Sequence, residues 1–321
     1  MMRPLLRGMT PSPEQMAVLA SGQLSSWCGL SVRIERATGR LFRRVHLKNV
    51  YVGIERNSPT GAFLSARDVT LTLASGNVQD PSAWGGLLRE VRLDRPVMFL
   101  SRNQGGKWNV AHVMEPRLDE KPSNVRMTFL LSRGTVYVYD FFEKDSESPP
   151  FKLIVESVNG KVNLKPNGAV HFNLSGRERS GKFRRVMVRG SWREAQQELD
   201  LTVSLKNAKI AAFPSELCDV WDEYFRLEDG TASLEANILM RGFVDSDPSV
   251  ELDGIVNVNG TTMIIPEREI VFRNVSLRSQ SRVQFRKGRV YGFETKVATI
   301  QPHSTLGDGY GLIKLRDDVL H

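Results

Sequence analysis

Cysteine is almost missing: Cys28 and Cys218 are the two in 321 residues, too few and too far apart for a disulfide framework or a cysteine metal set. The five histidines, at positions 46, 112, 171, 303 and 321, show no His-x-x-x-His spacing, so no metal site is expected. No stretch approaches the ~20 apolar residues that a membrane span requires. The best candidate, Met16 to Leu30, is broken by Ser21, Gly22, Gln23, Ser25 and Ser26. Arg3 and Arg7 have no apolar core behind them, which is not the pattern of a signal peptide. With 26 Gly and 40% hydrophobic residues, the chain is neither collagenous nor compositionally disordered.

Helical signals are scarce as well. Ser12 as an N-cap and Pro13 at the first helical position predict a helix from Pro13 to Trp27, with Met16, Leu19, Ala20 and Leu24 on one face. A second helical region is expected between Asn207 and Tyr224, where Ile210, Phe213, Leu217 and Val220 recur every three or four residues. Pro214 interrupts it.

What is there instead is alternation. Val69, Leu71 and Leu73 are separated by threonines; Leu199, Leu201, Val203 and Leu205 alternate with polar residues; so do Ala232, Leu234, Ala236, Ile238 and Met240. Val170/Phe172/Leu174, Val186/Val188, Val256/Val258 and Val283/Phe285 repeat the pattern. A period of two puts one face of each strand in an apolar environment and the other in water. Lys165-Pro166-Asn167-Gly168, Glu228-Asp229-Gly230, Val258-Asn259-Gly260 and Arg286-Lys287-Gly288 read as turns between strands. The apolar phase flips between Val45/Leu47 and Val50/Val52/Ile54, which predicts a β-bulge at Asn49. The fold class expected is mostly β: an elongated antiparallel sheet curled into an open groove, with a short N-terminal helix and a few short helices. Residues 1–44 are expected to form the helix and a lead-in segment, and residues 45–321 a continuous β-groove subdivided near 207–229.

A large sheet with one apolar face must bury that face. It can close into a barrel, pack on a second sheet, or curl around a guest, and the pattern alone does not choose. If it stays open, acyl chains fit it, because they need a continuous apolar trough and no polar readout, with burial worth about 0.8 kcal/mol per methylene. The candidate groove residues are Val69, Leu71, Leu73, Val97, Phe99, Val170, Phe172, Leu174, Leu199, Leu201, Val203, Leu234 and Ile238. Arg40, Arg43 and Arg44, or Arg184 and Arg185, would meet phosphate headgroups at the rim.

Catalytic signals are weak. Gly176 to Phe183 nearly matches a phosphate-binding loop, but Phe183 stands where Ser or Thr would hold magnesium and a strand pattern follows. Acids gather at Asp219, Asp222 and Glu223 and at Asp245 and Asp247, the raw material for cleaving a polysaccharide, which is the alternative function. No nucleophile–base pair is visible, and no catalytic residue, cofactor or metal is assigned. The formal charge of +8 favours acidic partners. Its Lys and Arg are spread along the chain and accompanied by acids, so nucleic acid is not expected.

Residues 90–114 add a signature: a strand through Val91 and Leu93, Pro96, a resumed strand through Val97 and Phe99, then Gly105-Gly106-Lys107-Trp108-Asn109 leading into a brief helical turn. With Gly134-Thr-Val-Tyr-Val-Tyr-Asp140 further on, this resembles the N-terminal portion of the AsmA-like family, TamB branch. Pro96, Gly106, Trp108 and Asn109 are its signature positions. The resemblance implies a periplasmic envelope protein of double-membraned bacteria, anchored in the inner membrane through a segment this sequence does not contain. It further implies a non-enzymatic β-groove that carries phospholipid between the two membranes, assists outer-membrane protein assembly with a barrel partner, or does both.

Overall fold

A computed structural model of the chain describes residues 12–28, 30–40, 44–53, 62–73, 88–102, 109, 126–141, 151–165, 168–180, 184–210, 226–242, 249–265, 270–286, 289–300, 303–304, 307–308 and 312–317. The chain divides into two compact units, Met1–Val170 and His171–His321. As expected, the described residues are mostly strand in an open sheet not closed into a barrel.

The first unit begins with α1 (Pro13–Cys28). Its start is a capping box: the Gln15 amide donates to Ser12 Oγ at 3.3 Å, and the Ser12 amide donates to Gln15 Oε1 at 2.9 Å. Strands β1 (Ser31–Arg40), β2 (Arg44–Gly53), β3 (Ala62–Leu73), β4 (Leu88–Arg102), β5 (Met127–Asp140) and β6 (Phe151–Leu164) follow in sheet order. Met16, Ala17 and Ala20 of α1 share one buried cluster with Val32, Val45, Leu47, Val69, Leu71, Leu73, Val91 and Met127. α1 joins this core, and β1 pairs with β2.

The β4–β5 pair departs from the antiparallel expectation. β4 and β5 run parallel, with Phe99 beside Tyr137. Parallel neighbours need a connection of a dozen residues or more, and the separation of Arg102 from Met127 supplies that length.

At Asn49 the apolar phase flips through a left-handed residue (φ 50°), but β2 keeps its register with β1 and β3 across it; the expected bulge is instead a phase change that the neighbouring strands share. Asn49, Arg95, Arg133 and Ser157 all have φ between 50° and 56°, and the β5–β6 register shifts on either side of Gly134, as bulges at Arg133 and Ser157 require. In every one of β1 to β6, two consecutive polar residues lie between buried-face positions at this level: Glu35-Arg36, Lys48-Asn49, Arg67-Asp68, Asp94-Arg95, Ser132-Arg133 and Glu156-Ser157. The cross-strand registers stack these pairs into one seam. Pro96 is buried beside the seam. A Cβ on Gly134 would sit 3.0 Å from Pro96 Cγ and 3.2 Å from Pro96 O, so any larger residue there crowds Pro96.

β7 (Ala169–Glu178) begins at the end of the first unit and runs into the second, where β8 (Arg185–Arg193), β9 (Glu198–Lys209), β11 (Thr231–Arg241), β12 (Ser249–Ile265), β13 (Ile270–Arg286), β14 (Arg289–Ile300) and a last strand at Leu312–Asp317 continue the sheet order. The two-residue strand β10 (Arg226–Leu227) pairs with one end of β12. Two expectations change here. Asn207 to Lys209 complete β9 instead of starting a helix, because Asn207 (φ 51°) is a bulge that returns Ala208 and Ile210 to the buried face; residues 211–225 lie outside the described residues. Asn259-Gly260 is not a hairpin turn. β12 runs through it as a bulge, with Gly260 at φ 64°, opposite a matching bulge at Asn274 (φ 53°) in β13. The other turn signals that fall in the described residues end strands as expected, with Gly168 at φ 74° and Gly230 at φ 92°.

Candidate functional site

The residues proposed for the groove separate into three environments. Val69, Leu71 and Leu73 are 4%, 1% and 7% exposed and belong to the α1-capped core. They fill a sealed interior, which corrects the expectation that they line an open trough; the physical reason is α1, whose Met16, Ala17 and Ala20 take the place of a guest.

Val97 and Phe99 lie on the opposite face. The seam shifts the phase of β4 by one residue, so Pro96 follows Leu88, Val91 and Leu93 onto the buried face and Val97 and Phe99 turn away from it. Phe99 stacks on Tyr137 with ring centroids 4.9 Å apart and planes at 11°, and Tyr137 lies 6.4 Å from Tyr139 at 3°. Lys152 Nζ sits 5.7 Å from the Tyr139 ring centre. These side chains form an aromatic ladder, not a groove wall.

Of the candidates in the second unit, Leu201, Val203, Leu234 and Ile238 come together. Ile238 stands opposite Leu201 on one side and Leu252 on the other, and Leu252 opposite Val283. One step along the strands, Val203, Ala236, Gly254 and Ser281 form the next row. A third row runs Val186, Leu205, Leu234, Val256. The middle row is small where its neighbours are large, so it forms a floor between two apolar walls. Ala236 and Gly254 are buried, whereas Leu201, Val203, Leu205, Leu234, Ile238, Leu252, Val256 and Val283 are only half-buried. Among the described residues of this unit, no α-helix lies over these rows. The filled core is displaced to one end of the strands, around Ile210, Ala232, Val258, Val275 and Leu277. Leu199 continues the face opposite Met240. Val170, Phe172 and Leu174 are half-buried on one side of β7, with exposed His171 and Asn173 on the other.

Leu252, Val256 and Val283 complete the rows but were absent from the candidate set, although each alternates with polar neighbours as Leu201 does. Gly254 and Ser281 interrupt the apolar count in β12 and β13, which hides the walls they separate.

The reverse of this face is polar. Glu198 accepts from Arg193 and from Arg241 Nε at 3.1 Å, and Arg241 reaches Glu251 at 3.4 Å. The Arg241 hydrogen bond, with Arg193 nearby, holds the Glu198 carboxyl below the ordinary glutamate range. A shallow cavity of about 200 Å³ on this side, lined by Asp200, Asn237, Glu251, Asp253, Arg282 and Gln284 among others, is smaller than a typical ligand pocket of roughly 300 Å³ or more. Its Asp253 is engaged by Arg282 at 3.3 Å.

Of the positions that carry the resemblance, Pro96 and Asn109 are described, and Gly106 and Trp108 lie outside the described residues. Asn109 works on the free end of β4. Its amide donates to Ser101 O at 2.8 Å, its Oδ1 accepts from the Ser101 amide at 3.1 Å, and its Nδ2 donates to Phe99 O at 2.7 Å. Peptide groups alternate sides along a strand, and Arg102 O faces β5's continuation by accepting from Phe141. Phe99 and Ser101 therefore face the other edge, where β3 pairs only as far as Met98. Asn109 occupies that edge as a substitute strand residue.

The acids at 219, 222, 223, 245 and 247 and the loop 181–183 fall outside the described residues, as do Arg43 and the side chain of Arg40. Arg44, Arg184 and Arg185 are exposed, and Arg185 opens a strand, not the helix a phosphate-binding loop needs. Among the described residues, no three His, Cys, Asp or Glu side chains gather to hold a metal, and no helix is long and apolar enough to cross a membrane. No protein-family model matches the chain, and no curated protein matches it.

Proposed function

We propose that the second unit binds lipid acyl chains along the trough floored by Val203, Ala236, Gly254 and Ser281, and that the chain serves as a non-enzymatic carrier of phospholipid. The observation that carries this reading is the half-exposed, in-register apolar face spanning β9, β11, β12 and β13. Four strands at about 4.8 Å spacing give a row of roughly 14 Å. Covering about ten methylenes there is worth about 8 kcal/mol before the cost of ordering the chain. Apart from Ser281 the rows are apolar, so the affinity is for chain length. The resemblance of residues 90–114 and 134–140 to the AsmA-like family supports placing this carrier in the periplasm, between inner and outer membrane, with outer-membrane protein assembly as a companion role.

Native mass spectrometry of gently purified protein tests this. The wild type is expected to carry phospholipid, Ile238→Glu to lose it, and Gly254→Ala, whose Cβ would meet neighbours at an ordinary 3.6 Å or more, to keep it. A lipid-free wild type, or unchanged lipid on a folded Ile238→Glu variant, overturns the proposal.

A further inference from the structure

The first unit's sheet has a second face, turned away from its core, whose charge is one-sided. On β1 and β2 its bases are Arg33, Arg36, Arg44 and Lys48, against one acid, Glu35. β3 and β4 add Arg67, Arg89, Arg92 and Arg95, against Asp68, Glu90 and Asp94. β5 and β6 add Arg133, Lys152 and Lys161, against Glu156. Every one of these bases is exposed, while Asp68, Glu90, Asp94 and Glu156 are half-buried. The seam pairs are nearly balanced, with Arg36, Lys48, Arg67, Arg95 and Arg133 against Glu35, Asp68, Asp94 and Glu156; the excess comes from the rest of the face, where Arg33, Arg44, Arg89, Arg92, Lys152 and Lys161 stand against Glu90 alone. Several of the acids are already engaged: Lys48 holds Asp68, Arg92 holds Glu90 at 2.6 Å, and Arg133 holds Asp94 at 2.6 Å. Among the described residues, no acidic side chain pairs with Arg33, Arg44, Arg67, Arg89 or Lys161.

We infer that this face docks on the surface of an anionic lipid bilayer. The bases are spread over six strands, about 24 Å across at the usual strand spacing, and so form a two-dimensional array. A planar anionic surface meets all of them at once, whereas a single polymer strand follows a stripe. Single-stranded nucleic acid would also need free aromatic faces for its bases. Here Phe99, Tyr137 and Tyr139 stack on one another, and Lys152 lies against the last ring. This inference is independent of the acyl-chain trough, which lies in the other unit.

The test is flotation of the full chain with vesicles of phosphatidylcholine containing about 30% phosphatidylglycerol, against vesicles of phosphatidylcholine alone. Binding is expected only to the anionic vesicles and to fall steeply as salt rises from about 0.05 to 0.5 M. Each base near an anionic surface contributes about fivefold in affinity, so Arg33→Gln/Arg67→Gln/Arg89→Gln should weaken binding about a hundredfold. Arg189→Gln/Arg226→Gln/Arg278→Gln, an equal charge loss in the second unit, should weaken it less than fivefold. Circular dichroism confirms that both variants fold. Equal binding to neutral vesicles, equal losses in the two triple variants, or tighter binding to a single-stranded oligonucleotide than to the anionic vesicles overturns the inference.

Discussion

Replacing Asn109 by alanine removes two side-chain hydrogen bonds, one from the Ser101 amide at 3.1 Å and one to Phe99 O at 2.7 Å. Each contributes about 1 kcal/mol net. The half-buried Ser101 amide is also left without its acceptor, which raises the expected loss to about 2–3 kcal/mol. For a unit the size of the first one, that corresponds to a fall in melting temperature of about 5–10 °C. The loss should be local before it is global: amide exchange at Ser101 should accelerate far more than at Val91 or Leu93, which pair with β3 on the same strand. Asn109→Asp keeps an acceptor for Ser101 but turns a carboxylate oxygen toward Phe99 O, so it should rescue little. Scanning calorimetry with hydrogen exchange reads both quantities. A melting temperature within 2 °C of wild type, with Ser101 exchange unchanged, would refute the assignment of Asn109 as a substitute strand residue.

Further outcomes follow from the same geometry. Gly134→Ala forces a Cβ to 3.0 Å from Pro96 Cγ and should cost about 1–3 kcal/mol as overpacking, read by chemical denaturation; a neutral result would mean that the seam relaxes freely. Leu71→Ala, at 1% exposure, should cost about 2–5 kcal/mol, while Ile238→Ala on the half-open face should cost about 1 kcal/mol; equal losses would mean that both positions sit in filled cores. The Arg133 hydrogen bond, with Arg95 nearby, holds the Asp94 carboxyl below its ordinary range. Its stabilisation is therefore complete above the unfolded value near 3.9 and is lost as pH falls through the lowered native value. Asp94→Asn should flatten that part of the acid-unfolding curve and leave stability above pH 6 slightly reduced; an unchanged acid limb would discount the pair.

Much of the architecture is legible in the residues, and the failures have physical causes. The capping box at Ser12, the hairpin glycines and the two-residue alternation each depend on neighbours in sequence. The seam is written in sequence too, as paired polar residues such as Arg67-Asp68 and Asp94-Arg95 between apolar ones. Only Asn49 stood out, because there the apolar phase flips within a run of valines and leucines. Missing the phase change at Arg95 put Val97 and Phe99 on the wrong face, since a one-residue shift exchanges the two sides of a strand. Whether a face is sealed depends on distant partners: nothing local to Val69, Leu71 and Leu73 distinguishes them from Leu201 and Ile238, and it is α1 that closes the first set. The parallel pairing of β4 with β5 was hidden for the same reason. Asn259-Gly260 misled because a glycine at positive φ serves a bulge as well as a turn.

The most direct test of the acyl-chain trough is photocrosslinking with a phospholipid that carries a diazirine on its acyl chain, followed by peptide mapping. The account predicts label on Leu201, Ile238, Leu252 and Val283, with Val69, Leu71 and Leu73 unlabelled. Label confined to the first unit, or absent from the β9, β11, β12 and β13 rows at saturating lipid, would contradict it.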